Sequence, residues 1–211
     1  MINIKYYPNI DNGLNRYETR QESNLFLFQY EMSNLPIKLI EMEVAIATYF
    51  GVRSNIIIPN VSWGLDIHEC DLLIIRPSGL AIEVEIKRYK QDLINDFKKQ
   101  HHHNSSKIKQ LYYAIPEDNY EKWRIYIPEI AGIITVGRLG SSNSWVKIKR
   151  KAPINHSRNL SDEEIKKASQ LGCMRIWKLK RKIITLQQEI YRLKEDHPAL
   201  IRTNHPLNSV N

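Results

Sequence analysis

Cysteine is scarce in this chain. Cys70 and Cys173 are the two present, far apart and in unlike contexts, so they supply neither a disulfide framework nor a CxxC metal pair. Both are expected to be free and reduced. Long apolar runs are also missing: none approaches the roughly eighteen residues that a membrane span needs. The opening MINIKYYPNIDNG lacks a basic segment followed by an apolar one, so no signal peptide is expected, and the sequence points to a cytoplasmic protein with no membrane partner. Eight glycines and nine prolines in 211 residues, with 42% hydrophobic content, argue against extensive disorder. There is no Gly-rich phosphate loop, no Ser/His/Asp order and no zinc-finger spacing, which removes the commonest nucleotide, acyl-transfer and zinc readings.

Acids are fewer than bases. Thirty-one Lys and Arg against 23 Asp and Glu give a formal charge of +8, which favours a polyanionic partner. The surplus lies late in the chain, where Lys147 to Lys182 holds twelve bases against three acids. Lys147, Lys149, Arg150 and Lys151, with Lys98 further upstream, are the candidate phosphate contacts; such contacts are salt-dependent and largely blind to base sequence. Trp145 and Trp177 can stack on bases or pack in a core.

Length allows one domain with an appendage. Residues 1–34 show no clean period. A helix is expected from Pro36 to Phe50, with Leu39, Ile40, Ile46, Ala47 and Phe50 as its apolar stripe and Glu43 in the middle of that stripe. Strands are expected at Asn55 to Pro59, Asp71 to Ile75, Leu80 to Lys87, Ile108 to Ile115, Ile130 to Val136 and Trp145 to Lys149, the last as an edge strand. Pro59, Pro116 and Gly137 are read as strand ends. Amphipathic helix is expected from Arg88 to about His103 and a short helix from Tyr120 to Tyr126. After a linker at 155–160, Ser161 and Glu164 form a capping box that opens a long helix. Its seam of Ile176, Leu179, Ile183, Leu186, Ile190 and Leu193 can pack on the protein's own core or join a second copy as a short coiled coil. The division is thus a domain at 1–154, with its core at about 37–136, and a basic helical extension at 155–211.

The stretch CDLLIIRPSGLAIEVEIK, residues 70–87, carries charge where a buried hairpin ordinarily has none. Strand alternation puts Glu83, Glu85 and Lys87 on one face and Val84 and Ile86 on the other. A Pro77–Gly79 loop makes Arg76 face Leu80, and counting back sets Asp71 opposite Glu85, close enough for one hard cation, whereas a two-residue loop would put Asp71 opposite Val84. Buried charge of this kind requires a metal, mutual salt bridges or exposure at a sheet end. Oxygen ligands suit Mg²⁺ or Mn²⁺, and Lys87 can then orient or deprotonate the attacking water.

With Asp71, Glu85-Ile86-Lys87 and the helical Glu43 in place, the chain resembles the PD-(D/E)XK nuclease superfamily over about residues 37–116. The resemblance implies an α/β fold with a restriction-endonuclease-like core of helix, three-stranded meander, helix and strand, followed here by the long helical extension. It implies a Mg²⁺- or Mn²⁺-dependent deoxyribonuclease acting in repair, recombination, restriction or a mobile element. Asp71, Glu85 and the Ile86 carbonyl would be metal ligands, Lys87 would serve the water, and Glu43 would be an accessory acid. Glu83 is an extra acid that can bind a second metal or pair with Lys87. Cys70 stands where the motif name has proline. The alternative is a nucleic-acid-binding module of the same fold without turnover. The histidine run at 101–103 and His68 each have a bland reading beside the metal one: a solvated helix end, and a loop histidine held by a structural hydrogen bond.

Overall fold

The computed structural model describes residues 36–61, 64–96, 105–139 and 143–196. A helix α1 (Leu39–Phe50) precedes a meander of β1 (Ile56–Val61), β2 (Cys70–Ile75) and β3 (Ala81–Ile86). Helix α2 (Lys90–Asp96) leads into β4 (Ile108–Pro116), and a short helix α3 (Tyr120–Trp123), flanked by 3₁₀ turns, leads into β5 (Gly132–Leu139). Strand β6 (Asn143–Arg150) and the long helix α4 (Asp162–Asp196) complete the order. The six strands form one mixed sheet in sequence order: β1, β2 and β3 are antiparallel, β3, β4 and β5 are parallel, and β6 returns antiparallel. Parallel neighbours need a crossover, and α2 and α3 lie in those two connections. The chain is therefore α/β, with a long C-terminal helix.

The hairpin turn explains the register. The Arg76 amide donates to the Leu80 carbonyl at 2.9 Å and the Gly79 amide to the Arg76 carbonyl at 2.8 Å, closing a three-residue loop. Gly79 takes φ of 79°, a left-handed conformation that disfavours a side chain. Leu72 consequently pairs with Val84 and Leu73 with Glu83. One face of the sheet (Leu72, Ile74, Ile82, Val84, Ile86) packs under α1. The other face carries two clusters, one under the start of α4 and one under α2 and α3.

Several expectations need correction. The buried stripe of α1 is Met42, Ala45, Ile46 and Phe50, whereas Leu39 and Ile40 are 40% and 63% exposed. Glu43 thus sits on the flank of the buried stripe, half-buried, and not at its centre. Pro59 does not end β1 but pairs with Leu72 inside it, which an edge strand tolerates because the missing N–H faces away from the ladder. Gly137 likewise lies within β5, opposite Trp145, whose ring passes so close that a Cβ there would meet it at 2.4 Å. Strand β6 is the half-exposed edge strand expected, and it is longer by a few residues. Pro116 closes β4 as expected.

Helix α4 begins on the expected capping box. The Ser161 amide donates to Glu164 Oε2 at 2.9 Å and the Glu164 amide to Ser161 Oγ at 3.3 Å. Its first turns bury Ala168 and Leu171 against β1, and Arg175 donates to the Asn60 carbonyl. Beyond that point the seam packs on nothing described: Ile176, Leu179, Ile183, Leu186, Ile190 and Leu193 are all 46–54% exposed. The reason is length. Thirty-five helical residues reach about 52 Å, whereas a six-residue edge strand spans about 20 Å, so the helix outruns the sheet.

Candidate functional site

The charged groups of the hairpin converge where β2 begins and β3 ends. Leu72 and Val84 are the last ladder pair on that side, and one further step of the register sets Asp71 across from Glu85. Just past the ladder, Asp71 Oδ2 accepts the Ile86 amide at 2.7 Å, so the carboxylate occupies the sheet margin. In an extended strand the N–H and C=O of one residue face the same edge. The Ile86 carbonyl therefore turns toward the β2 edge, where Asp71 lies, while the next amide, of Lys87, turns the other way to the Ala114 carbonyl at 2.9 Å.

Glu83, Glu85 and Lys87 are 0%, 3% and 6% exposed, an unusual density of charge inside a sheet face. Their partners divide. His68 Nε2 meets Glu83 Oε1 at 2.7 Å, so the loop histidine makes a hydrogen bond to the extra acid. The Lys87 ammonium donates to Glu85 Oε2 at 2.6 Å and to Asp96 Oδ1 at 2.9 Å. Tyr113 donates its hydroxyl to Asp96 Oδ2 at 2.8 Å, and its ring lies under the ammonium. Lys87 is thus held from three sides, by its own strand, by α2 and by β4.

The protonation pattern follows from this crowding. Burial pushes the Glu85 carboxyl up to about 7; Lys87 pulls it down, but the charges of Asp71 and Glu83 push it up further. Burial would lower Lys87, yet Glu85 and Asp96 outweigh it and hold the ammonium above its ordinary range. Burial raises Glu43, and the nearby charge of Asp71 raises it further, against a hydrogen bond with Asn60. That coupling brings Glu43 from the opposite layer into the same electrostatic group. Burial and four neighbouring acids push the Cys70 thiol up, so it is protonated at neutral pH.

Whether these residues fit a divalent metal turns on one atom. Glu85 Oε1 is buried and without a hydrogen-bond partner, as is Glu117 Oε2 elsewhere in the fold; a buried carboxylate oxygen in that state is costly unless a proton or a cation meets it. Among the described residues no group of three or more His, Cys, Asp and Glu is placed to hold a metal by itself. Magnesium does not require one: it ordinarily takes one or two carboxylates and completes its shell with water and substrate phosphate. Asp71, Glu85 and the Ile86 carbonyl fit that demand.

The basic candidates separate less favourably. Lys147 and Lys151 are exposed. Lys149 is engaged, pairing with Glu117 at 2.5 Å and lying over the Tyr120 ring. Arg150 is also engaged, donating to the carbonyls of Ile127, Pro128 and Ala131 at 3.1, 2.6 and 2.9 Å, so it ties β6 to the preceding loop. Both side chains are thus tied into the fold by contacts of their own. Lys98 and the histidine run lie outside the described residues. Trp145 and Trp177, at 39% and 61% exposure, are not core residues.

Asp96 and Tyr113 were not singled out from sequence. Asp96 lies three positions after Leu93, on the apolar side of α2, where a charged residue is anomalous. Tyr113 alternates with Leu111 and Ile115 in β4 and pairs with Glu85, a register that sequence does not disclose.

No protein-family model matches the chain, and no curated protein matches it. Among solved structures, it is similar to a protein of unknown function from Silicibacter pomeroyi, at 14% identity and a TM-score of 0.47, over 83% of this chain and 100% of that one.

Proposed function

We propose that the chain is a divalent-metal-dependent nuclease acting on DNA, built on a restriction-endonuclease-like core. The observation that carries the reading is the buried, unpartnered Oε1 of Glu85 beside Asp71, in a cluster where acids outnumber bases. What supports that core is the element order of helix, three-stranded meander, helix and strand.

In this reading Asp71, Glu85 and the Ile86 carbonyl hold Mg²⁺ or Mn²⁺, with Glu43 as an accessory acid. When bound, the ion supplies positive charge against the phosphate oxygens and makes water a better nucleophile at neutral pH. Lys87 contributes as a cation. Glu85 and Asp96 favour its charged form, in which it donates to the attacking or phosphoryl oxygen. Asp96 and Tyr113 position that ammonium. Glu83, held by His68, adds negative potential behind the ligands. Exposed Lys147 and Lys151 remain for phosphate contact.

The test is cleavage of a mixture of duplex, junction, nicked and single-stranded DNA with Mg²⁺, Mn²⁺ or EDTA. Metal-dependent product is expected, with Asp71→Ala and Lys87→Ala each lowering it by at least about 100-fold while circular dichroism stays unchanged. Cleavage that survives either substitution rejects these roles. Salt-sensitive binding with no product in any form would instead assign a binding module without turnover.

A further inference from the structure

We propose that α4 pairs with α4 of a second copy of this chain as a short antiparallel coiled coil. The stretch beyond Arg175 stands clear of the sheet with an unbroken seam, and a lone helix of about twenty residues is marginal in water unless its apolar face is covered. The seam has two kinds of position in strict alternation: Ile176, Ile183 and Ile190 at one, Leu179, Leu186 and Leu193 at the other. Reversed against a second copy, each isoleucine faces a leucine: Ile176 with Leu193, Ile183 with Leu186 and Ile190 with Leu179. Exposed Trp177, Ile184 and Tyr191 fall on a different flank and do not widen the seam.

The flanking charges select the occupant and its direction. In a parallel pair Arg175 would meet Lys180 of the other helix, a repulsion that offsets the attraction of Glu189 for Lys194, and Lys182 would meet the neutral Gln187. In an antiparallel pair with the six seam layers aligned, Lys182 meets Glu189, twice by symmetry, and Asp196 comes alongside Arg175, which also donates to the Asn60 carbonyl of its own chain. The sequence is thus complementary to itself when reversed, which is what an isologous two-fold contact requires. Opposed helix dipoles act in the same sense. The same alignment brings exposed Cys173 beside Lys194 of the partner helix.

Sedimentation equilibrium of the full chain at micromolar concentration is expected to give twice the 24.9 kDa chain mass. The double variant I183E/L186E is expected to be a monomer with unchanged tertiary circular dichroism, since both residues are exposed in the single chain. Lys182→Glu is expected to weaken the dimer by about tenfold, and adding Glu189→Lys to restore it. Under mild oxidation Lys194→Cys is expected to link two chains through Cys173, and adding Cys173→Ser to abolish the link. A monomeric or higher-order wild type, or a dimer that persists in I183E/L186E, overturns the proposal. Absence of both the charge-reversal effect and the cross-link overturns the antiparallel arrangement.

Discussion

The Lys87 ammonium is held 2.9 Å from the Asp96 carboxylate, which joins the end of β3 to α2 through a contact buried on both sides. Asp96 also takes the Tyr113 hydroxyl, so one carboxylate fixes two groups beside Glu85. Substituting Asp96 by Asn removes the charge and keeps a hydrogen-bonding shape. In the proposed nuclease, turnover is expected to fall about 10- to 100-fold with KM little changed, and the alkaline limb of the pH–rate profile is expected to move to lower pH as Lys87 loses a stabilising anion. Steady-state kinetics across pH tests this; an unchanged profile would show Asp96 to be only a packing residue.

Glu85 makes the metal-free protein sensitive to pH. An unfolded chain ionises this carboxyl near 4.5, whereas the folded site keeps its proton to about 7, so between those values the folded state binds more protons. Stability is therefore expected to fall as pH rises through that window, by up to about 3 kcal/mol, and then to level off. Urea unfolding in EDTA at a series of pH values is the measurement, with Glu85→Gln lacking this component. Above pH 7, Mg²⁺ is expected to raise the Tm of the wild type and to leave that of Glu85→Gln unmoved.

Gly79 supports the hairpin in two ways. Its φ of 79° is costly for other residues, and a Cβ would lie 2.7 Å from the Leu160 carbonyl in the linker that crosses the turn. The Gly79 carbonyl accepts the Leu160 amide at 2.9 Å, so the two segments cannot easily separate. Gly79→Ala is expected to destabilise the fold by about 2–3 kcal/mol, read as a lower urea midpoint with an unchanged m-value.

Local chemistry made the hairpin register legible in advance. Pro77, Ser78 and Gly79 form a turn whose length fixes which residues face each other, and the pairing of Leu72 with Val84 and of Leu73 with Glu83 follows by counting. Ser161 and Glu164 announced their helix in the same way, because a capping box lies within four residues. What sequence hid was long-range. The β3–β4 register is set through a crossover, so Tyr113 beside Glu85 could not be counted from any turn. Arg150 looked like part of a basic run, but the carbonyls that hold it come from a loop about twenty residues earlier. The seam of α4 carried the right period for core packing, while whether any core lay beneath it depended on where β1 ends.

The metal claim is tested most directly by crystals soaked in Mn²⁺ and measured for anomalous scattering. A peak is expected within coordination distance of Asp71 and Glu85 Oε1, at about 2.2 Å from each oxygen, and is expected to be lost in Glu85→Gln crystals. A soak at saturating Mn²⁺ that gives no peak there, or peaks only on surface carboxylates, overturns the metal assignment.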